Sequence, residues 1–176
     1  EPATPAQARL RASLVGFLAG VGTAAFPFAG GRLLRGRLER RRVEQWDTET
    51  FAAHGLPTHF AQHSLSRNER AGSLRGLHYQ ASRPEAKLVR CIAGRAFDVI
   101  VDLRRSLPSY GQWCSLELSA DRHNAVFIPA GCAHGFQTLV DGTELMYCID
   151  VPYDAQGAAG IRWDDPSLAI AWPLPD

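Results

Sequence analysis

Lysine is almost missing from this sequence: Lys87 is the only one among 19 basic residues in 176 positions. A net charge of any size is missing too. The formal total of +1 excludes the strong basic field of a nucleic-acid or anionic-membrane binder. No two of the four cysteines, Cys91, Cys114, Cys132 and Cys148, form a C-x-x-C pair. That argues against a zinc knuckle or dithiol redox site and for free thiols in a reducing compartment, the cytoplasm. No repeat recurs at a period of about 20–50 residues, which excludes solenoids and propellers. The uncharged run from Ala12 to Gly31 is long enough to cross a bilayer or to act as a signal segment. It is rich in Gly and Ala, however, and contains Thr23 and Pro27, so its apolar drive is weak and no membrane partner is expected.

What is present divides at residue 42. Residues 1–42 contain no Asp, Asn, Ile, Lys, His, Tyr, Trp, Cys or Met, and hold 8 Arg against 2 Glu. Residues 43–176 hold 11 Lys and Arg against 16 Asp and Glu. We read 1–42 as an atypical Arg/Ala/Gly-rich arm and 43–176 as one domain, long enough for a single core. Two origins for the arm stay open: a natural extension, or GC-rich DNA read in a shifted frame.

Beyond the arm, VEQWDTETFAAHG (43–55) predicts a short helix ending at Gly55. Turn residues then recur about every 8–12 positions and the runs between them alternate. Phe97, Val99 and Val101 alternate with Asp98, Ile100 and Asp102; Leu116 and Leu118 alternate with Ser115, Glu117 and Ser119. Val126-Phe-Ile128 leads into the turn Pro129-Ala-Gly131, and 145–149 is another short run. Many short strands with little helix predict an antiparallel sandwich or barrel.

Two segments carry more polar groups than a sandwich core needs. The first is Gly72 to Gln80, followed by Lys87 and Gly94; the second is Ile128 to Phe136. Their spacing resembles the two motifs of cupins, small jelly-roll β-barrels. Gly72 and His78 match the first motif, Gln80 stands where a second His is usual, and Lys87 takes a place like that of the motif's Glu. Pro129, Gly131 and His134 match the second motif, with Thr138 at its later Asn position. A metal cupin needs three imidazoles and a carboxylate on one ion. Two imidazoles, an amide and an ammonium do not make that set, since a cation repels a divalent metal. The expected site is therefore free of metal and cofactor, with Lys87 stabilising an oxyanion such as an enolate and a neutral His as base.

Five motifs in order, RGLHYQ (75–80), KLVR (87–90), FDVIVDLRRSLPSYGQW (97–113), IPAGCAHGF (128–136) and IRWDDPSLAIAWP (161–173), resemble the dTDP-4-dehydrorhamnose 3,5-epimerases. The resemblance runs from about Val43 to Pro173. It implies a mostly β, cupin-type jelly roll with a few short helices. It also implies a dTDP-sugar as partner, and a homodimer that exchanges edge strands. The implied reaction removes a proton alpha to the ketone of a dTDP-4-keto-6-deoxyhexose at C3, C5 or both, and returns it on the other face.

By motif match His78 is the base, Asp165 orients it, Tyr147 is the acid and Lys87 holds the enolate oxygen. Arg75 assists near the sugar or diphosphate, and His134 contacts ligand. Tyr153 offers a ring to thymine, Trp163 lies beside the Asp-Pro pair, and Gln62, Ser64 and Ser66 lie on a substrate-lining strand. Glu44 fits the last position of the family's D-x-R-G-x-F-x-E motif, whose Arg, Gly and Phe positions are here Glu39, Arg40 and Arg42. Ser64 replaces an expected Asn and Ala158 a Glu, so nucleotide-holding groups are thinned while the catalytic ones remain. Two alternatives are a mono-epimerase of the same family and a non-catalytic nucleotide-sugar binding module. A metal-dependent cupin is disfavoured by Gln80 and Lys87.

Overall fold

A computed structural model describes residues 47–175; the arm and Glu44 lie outside the described residues. The first element is helix α1, Thr48–Ala53. Asp47 caps it by accepting the Thr50 N–H at 2.8 Å, which satisfies one of the free donors of the first turn. It ends as expected at Gly55, whose φ of +66° lets the chain reverse. Leu56 N–H reaches Phe51 O at 2.9 Å and Gly55 N–H reaches Ala52 O at 3.0 Å, a Schellman closure.

Among the described residues nine strands follow. They are β1 (Gln62–Asn68), β2 (Leu74–Gln80), β3 (Lys87–Ala93), β4 (Arg95–Asp102), β5 (Trp113–Ser119), β6 (Ala125–Ile128), β7 (Cys132–Thr138), β8 (Thr143–Ile149) and β9 (Ala158–Gly160). They form two antiparallel sheets, a four-stranded one ordered β1-β8-β3-β6 and a five-stranded one ordered β5-β4-β7-β2-β9. The mostly β sandwich of jelly-roll type read from the sequence is what the chain adopts.

The sheets pack face to face over one core that includes Val89, Cys91, Ile100, Leu118, Ile128, Phe136 and Leu145. Each sheet is also covered outside. Phe51 and Leu56 of the α1 segment pack on Leu88, Phe127 and Cys148. On the other side Ile161, Leu168, Ile170 and Trp172 pack on Leu77, Val99, Val101 and Ala133. The Trp113 indole N–H holds that tail by donating to Leu168 O at 2.7 Å. Both faces of β4 are therefore buried, and its alternation separates two cores rather than core from solvent.

The feature that shapes the functional face is an irregularity in β2. Arg75 is opposite Phe136 and His78 opposite His134 on β7, so β2 spends three residues where β7 spends two. Three residues along a regular strand would put Arg75 and His78 on opposite faces. The extra residue brings both to the inner face. Glycines permit it. A Cβ on Gly135 would lie 2.7 Å from Arg75 O, and one on Gly76 would lie 2.5 Å from Gly135 Cα. Gly135→Ala is accordingly expected to destabilise the fold by about 2 kcal/mol through overpacking, read as a lowered Tm. An unchanged Tm would show that the two strands can part freely.

Candidate active site

Between β1 and β8 on one side and β2, β7 and β9 on the other lies a cleft of about 610 Å³. It is lined by Gln62, Ser64, Ser66, Arg75, His78, Lys87, His134, Tyr147 and Tyr153, which are nine of the residues named from the sequence. Register explains the four-stranded wall. Gln62 pairs with Ile149, Ser64 with Tyr147 and Ser66 with Leu145, and Ile149 and Tyr147 pair onward with Lys87 and Val89. Alternate residues share a face, so Gln62, Ser64, Ser66, Lys87, Tyr147 and Ile149 face the cleft, while Leu145 and Val89 in the same phase belong to the core. The opposing wall carries Arg75, His78 and His134.

His78 is exposed to the cleft. Partial burial, then the positive charges of Lys87, His134 and Arg75, hold its pKa below the ordinary 6.5. It is a neutral imidazole at neutral pH, and so a base without its proton. Tyr147 faces it from the other sheet. Burial, reinforced by the Asp98 charge, pushes its phenol above the ordinary 10, against the opposing pull of a hydrogen bond with Ser66 and of Arg75. It stays a phenol and can donate. The phenol ring meets His134 edge-on at 6.1 Å between centroids.

Two contacts were not foreseen. Asp98, fully buried on the inner face of β4, lies with its Oδ2 2.8 Å from His134 Nε2, and its Oδ1 has no hydrogen-bond donor among the described residues. Lys87 is ion-paired, its Nζ 2.9 Å from Glu85 Oε1, with both side chains 9% exposed. Glu85 also lines the cleft. Spacing held a signal for it: residues two apart in extended chain share a face. Nothing local marked Asp98.

Asp165 and Trp163 do not line the cleft. The Asp165 Oδ1 accepts the Ser167 N–H at 2.9 Å and the Ser167 hydroxyl at 2.6 Å in an exposed turn. An Asp before Pro-Ser closes such a turn with its own side chain, and the carboxylate is thereby occupied away from His78. Trp163 uses its carbonyl oxygen to accept the Trp172 indole N–H at 3.0 Å. The carboxylate–imidazole pair that reaches the cleft is Asp98–His134, with His134 in the lining and Asp98 buried behind it. Among the described residues no three His, Cys, Asp or Glu side chains gather as metal ligands would. The four cysteines are free, and burial pushes the Cys114 thiol to about 12 and the Cys132 thiol to about 11, so neither is a nucleophile at neutral pH.

The model of the family described as dTDP-4-dehydrorhamnose 3,5-epimerase matches residues 40–176. The chain belongs to the dTDP-4-dehydrorhamnose 3,5-epimerase family. A family relative from Sinorhizobium fredii is 42% identical over 131 residues, which are 74% of this chain and 65% of the relative. The solved dTDP-4-dehydrorhamnose 3,5-epimerase of Bacillus anthracis, with TDP and PPi bound, superposes with a TM-score of 0.73. It is 40% identical and covers 76% of this chain and 77% of its own. A dTDP-6-deoxy-D-glucose-3,5-epimerase from Legionella pneumophila, in complex with dTDP-4-keto-L-rhamnose, gives a TM-score of 0.71 at 37% identity, over 76% of this chain and 71% of its own. Epimerases of this family are isomerases, and the cleft described above is the candidate site for that chemistry.

Proposed function

We propose that the chain epimerises a dTDP-4-keto-6-deoxyhexose at C3, C5 or both, without metal or cofactor, as a step toward dTDP-L-rhamnose or a related deoxysugar. The observation that carries this reading is the opposition of a neutral imidazole and a protonated phenol from two facing sheets. A proton alpha to a ketone is removed in the plane of one wall and replaced from the other, which inverts the carbon. His78 takes the proton, and the C–H electron pair becomes the enolate double bond while the carbonyl pair moves to oxygen. The Lys87 ammonium stabilises that oxygen. Tyr147 delivers its phenolic proton to the opposite face, and the resulting phenolate and imidazolium return to their resting states by proton transfer. The motif match supports Arg75 and His134 as phosphate- or sugar-contacting groups, Tyr153, 64% exposed, as a platform for thymine, and Gln62, Ser64 and Ser66 as lining.

Incubation with dTDP-4-keto-6-deoxyglucose in deuterated water tests the reading. Incorporation at C3, C5 or both is expected, and the pattern separates the double from the single epimerase. Folded protein that exchanges neither carbon rejects it. The pH dependence follows from His78. Its depressed pKa means that exchange is lost only as pH falls through a value below 6.5, where the imidazole takes a proton and ceases to be a base. An acid limb of kcat/KM centred above 6.5 assigns the base to another group.

The family match also supports a homodimer and a cytoplasmic location. Strand β1 pairs only with β8 among the described residues, and Leu65 on it is 58% exposed, so its free edge is where a second copy would add a strand. Light scattering of the full chain checks this, and a monomer at micromolar concentration overturns it.

A further inference from the structure

Glu85 takes no part in the proton transfers, yet among the described residues its carboxylate is the one anion paired with the chain's only lysine. The carboxylate lies 2.9 Å from Lys87 Nζ, and both side chains are 9% exposed in the wall of the cleft. The segment that carries Glu85 is fixed from both sides. Ala86 N–H donates to Asp150 Oδ1 at 2.7 Å and Asp150 N–H donates to Ala86 O at 3.2 Å. Four residues upstream of Glu85, Ala81 N–H donates to Gly157 O at 2.8 Å, and the Ser82 hydroxyl donates to Asp154 Oδ2 at 2.8 Å. Pro84 further limits the chain between these ties. A lysine ammonium sits on a flexible four-carbon stem with three donors, so by itself it is a poorly placed charge. Here one of those donors is held by a carboxylate on a clamped loop, and two remain for the cleft. The other titratable groups lining the cleft are Arg75, His78 and Tyr79 from β2, His134 from β7 with Asp98 behind it, Tyr147 from β8, and Tyr153 from the lip. Among the described residues, none of these is hydrogen-bonded or ion-paired to Nζ.

We propose that Glu85 is a positioning residue: it holds the Lys87 ammonium at the cleft wall so that its free donors meet the enolate oxygen as that charge develops. This rests on the function proposed above. Preorganised donors contribute more to catalysis than donors that must first be gathered, and a displacement of an ångström is enough to lose most of the benefit.

The test uses the full chain and exchange from deuterated water with dTDP-4-keto-6-deoxyglucose. Glu85→Ala is expected to lower kcat about 30-fold with KM changed less than about threefold, because position is lost rather than binding. Glu85→Gln keeps an acceptor oxygen and is expected to lose only about fivefold. Thermal melting verifies that each variant is folded. The double variants Lys87→Met/Glu85→Ala and Lys87→Met/Glu85→Gln leave no buried charge unpaired, and are expected to exchange at the same rate within about twofold. A full kcat in Glu85→Ala, a change confined to KM, or a gap between the two doubles as wide as between the singles overturns the proposal. Labelling with ¹⁵Nζ-lysine gives an independent readout, since the chain has one lysine. A resolved, ordered ammonium signal is expected, and it is lost in Glu85→Ala. A signal already like that of free lysine in the unmodified protein overturns the positioning role whether or not exchange is seen. An unmodified protein with an ordered signal and no exchange counts instead against the epimerase reading.

Discussion

His78→Ala is expected to lower the rate of deuterium exchange at C3 and C5 by about 10³-fold, the range for loss of a well-placed general base, or about 4 kcal/mol of barrier. Its stability should hardly change. His78 is exposed to the cleft and its side chain makes no hydrogen bond among the described residues, so the expected cost is under about 0.5 kcal/mol. That combination separates a catalytic from a structural imidazole. Added free imidazole should restore part of the exchange, because the cleft has the volume to admit it. Retained turnover in a folded His78→Ala protein would transfer the role of base to His134, which is directly opposite on β7 and already has a carboxylate partner.

The pattern of short alternating runs was enough to read a β sandwich, because period two survives translation into sheets whatever their order. The strands at 97–102, 115–119, 126–128 and 145–149 fall inside β4, β5, β6 and β8, and the helix closes at Gly55 where expected. Which face of a strand meets the core is not in that pattern. Asp98 occupied the polar phase of an alternating run, and such a residue normally faces water. The tail from Ile161 to Trp172 covers the other phase, so both phases of β4 are interior and the carboxylate is turned inward with Ile100.

The cleft was legible where motifs carried it and illegible where pairing at a distance did. His78, Lys87, His134 and Tyr147 come from four strands whose register no local signal fixes, yet each sits in a short string whose residue types already implied the chemistry. Asp165 also sat in such a string. Its local chemistry, an Asp before Pro-Ser, is equally that of a side-chain-closed turn, and this is the use the structure makes of it. The extra residue in β2, which brings Arg75 and His78 to one face, depends on two facing glycines that are far apart in the chain.

Asp98 is where the second large effect is expected. Asp98→Leu leaves His134 Nε2 buried without its 2.8 Å partner. Breaking one side of such a buried pair costs about 3 kcal/mol, or roughly 10 °C of Tm for a domain of this size. Asp98→Asn keeps an acceptor for the imidazole and removes the charge, so its loss should be smaller. It has a signature of its own. The Asp98 charge is the second cause, after burial, of the raised Tyr147 pKa. Without it the phenol ionises at lower pH, while burial still keeps it above the ordinary 10. Ultraviolet difference titration of Asp98→Asn against Asp98→Asn/Tyr147→Phe isolates that phenol from the other three tyrosines. An unmoved or rising value would mean that the carboxylate does not act on Tyr147. Asp165 provides the contrast. Held in an exposed turn by Ser167, it should cost less than about 1 kcal/mol as Asp165→Asn and reduce exchange less than Asp98→Leu does. The reverse order would require the 162–167 segment to swing inward when substrate binds, and would pair His78 with Asp165 in the reacting complex.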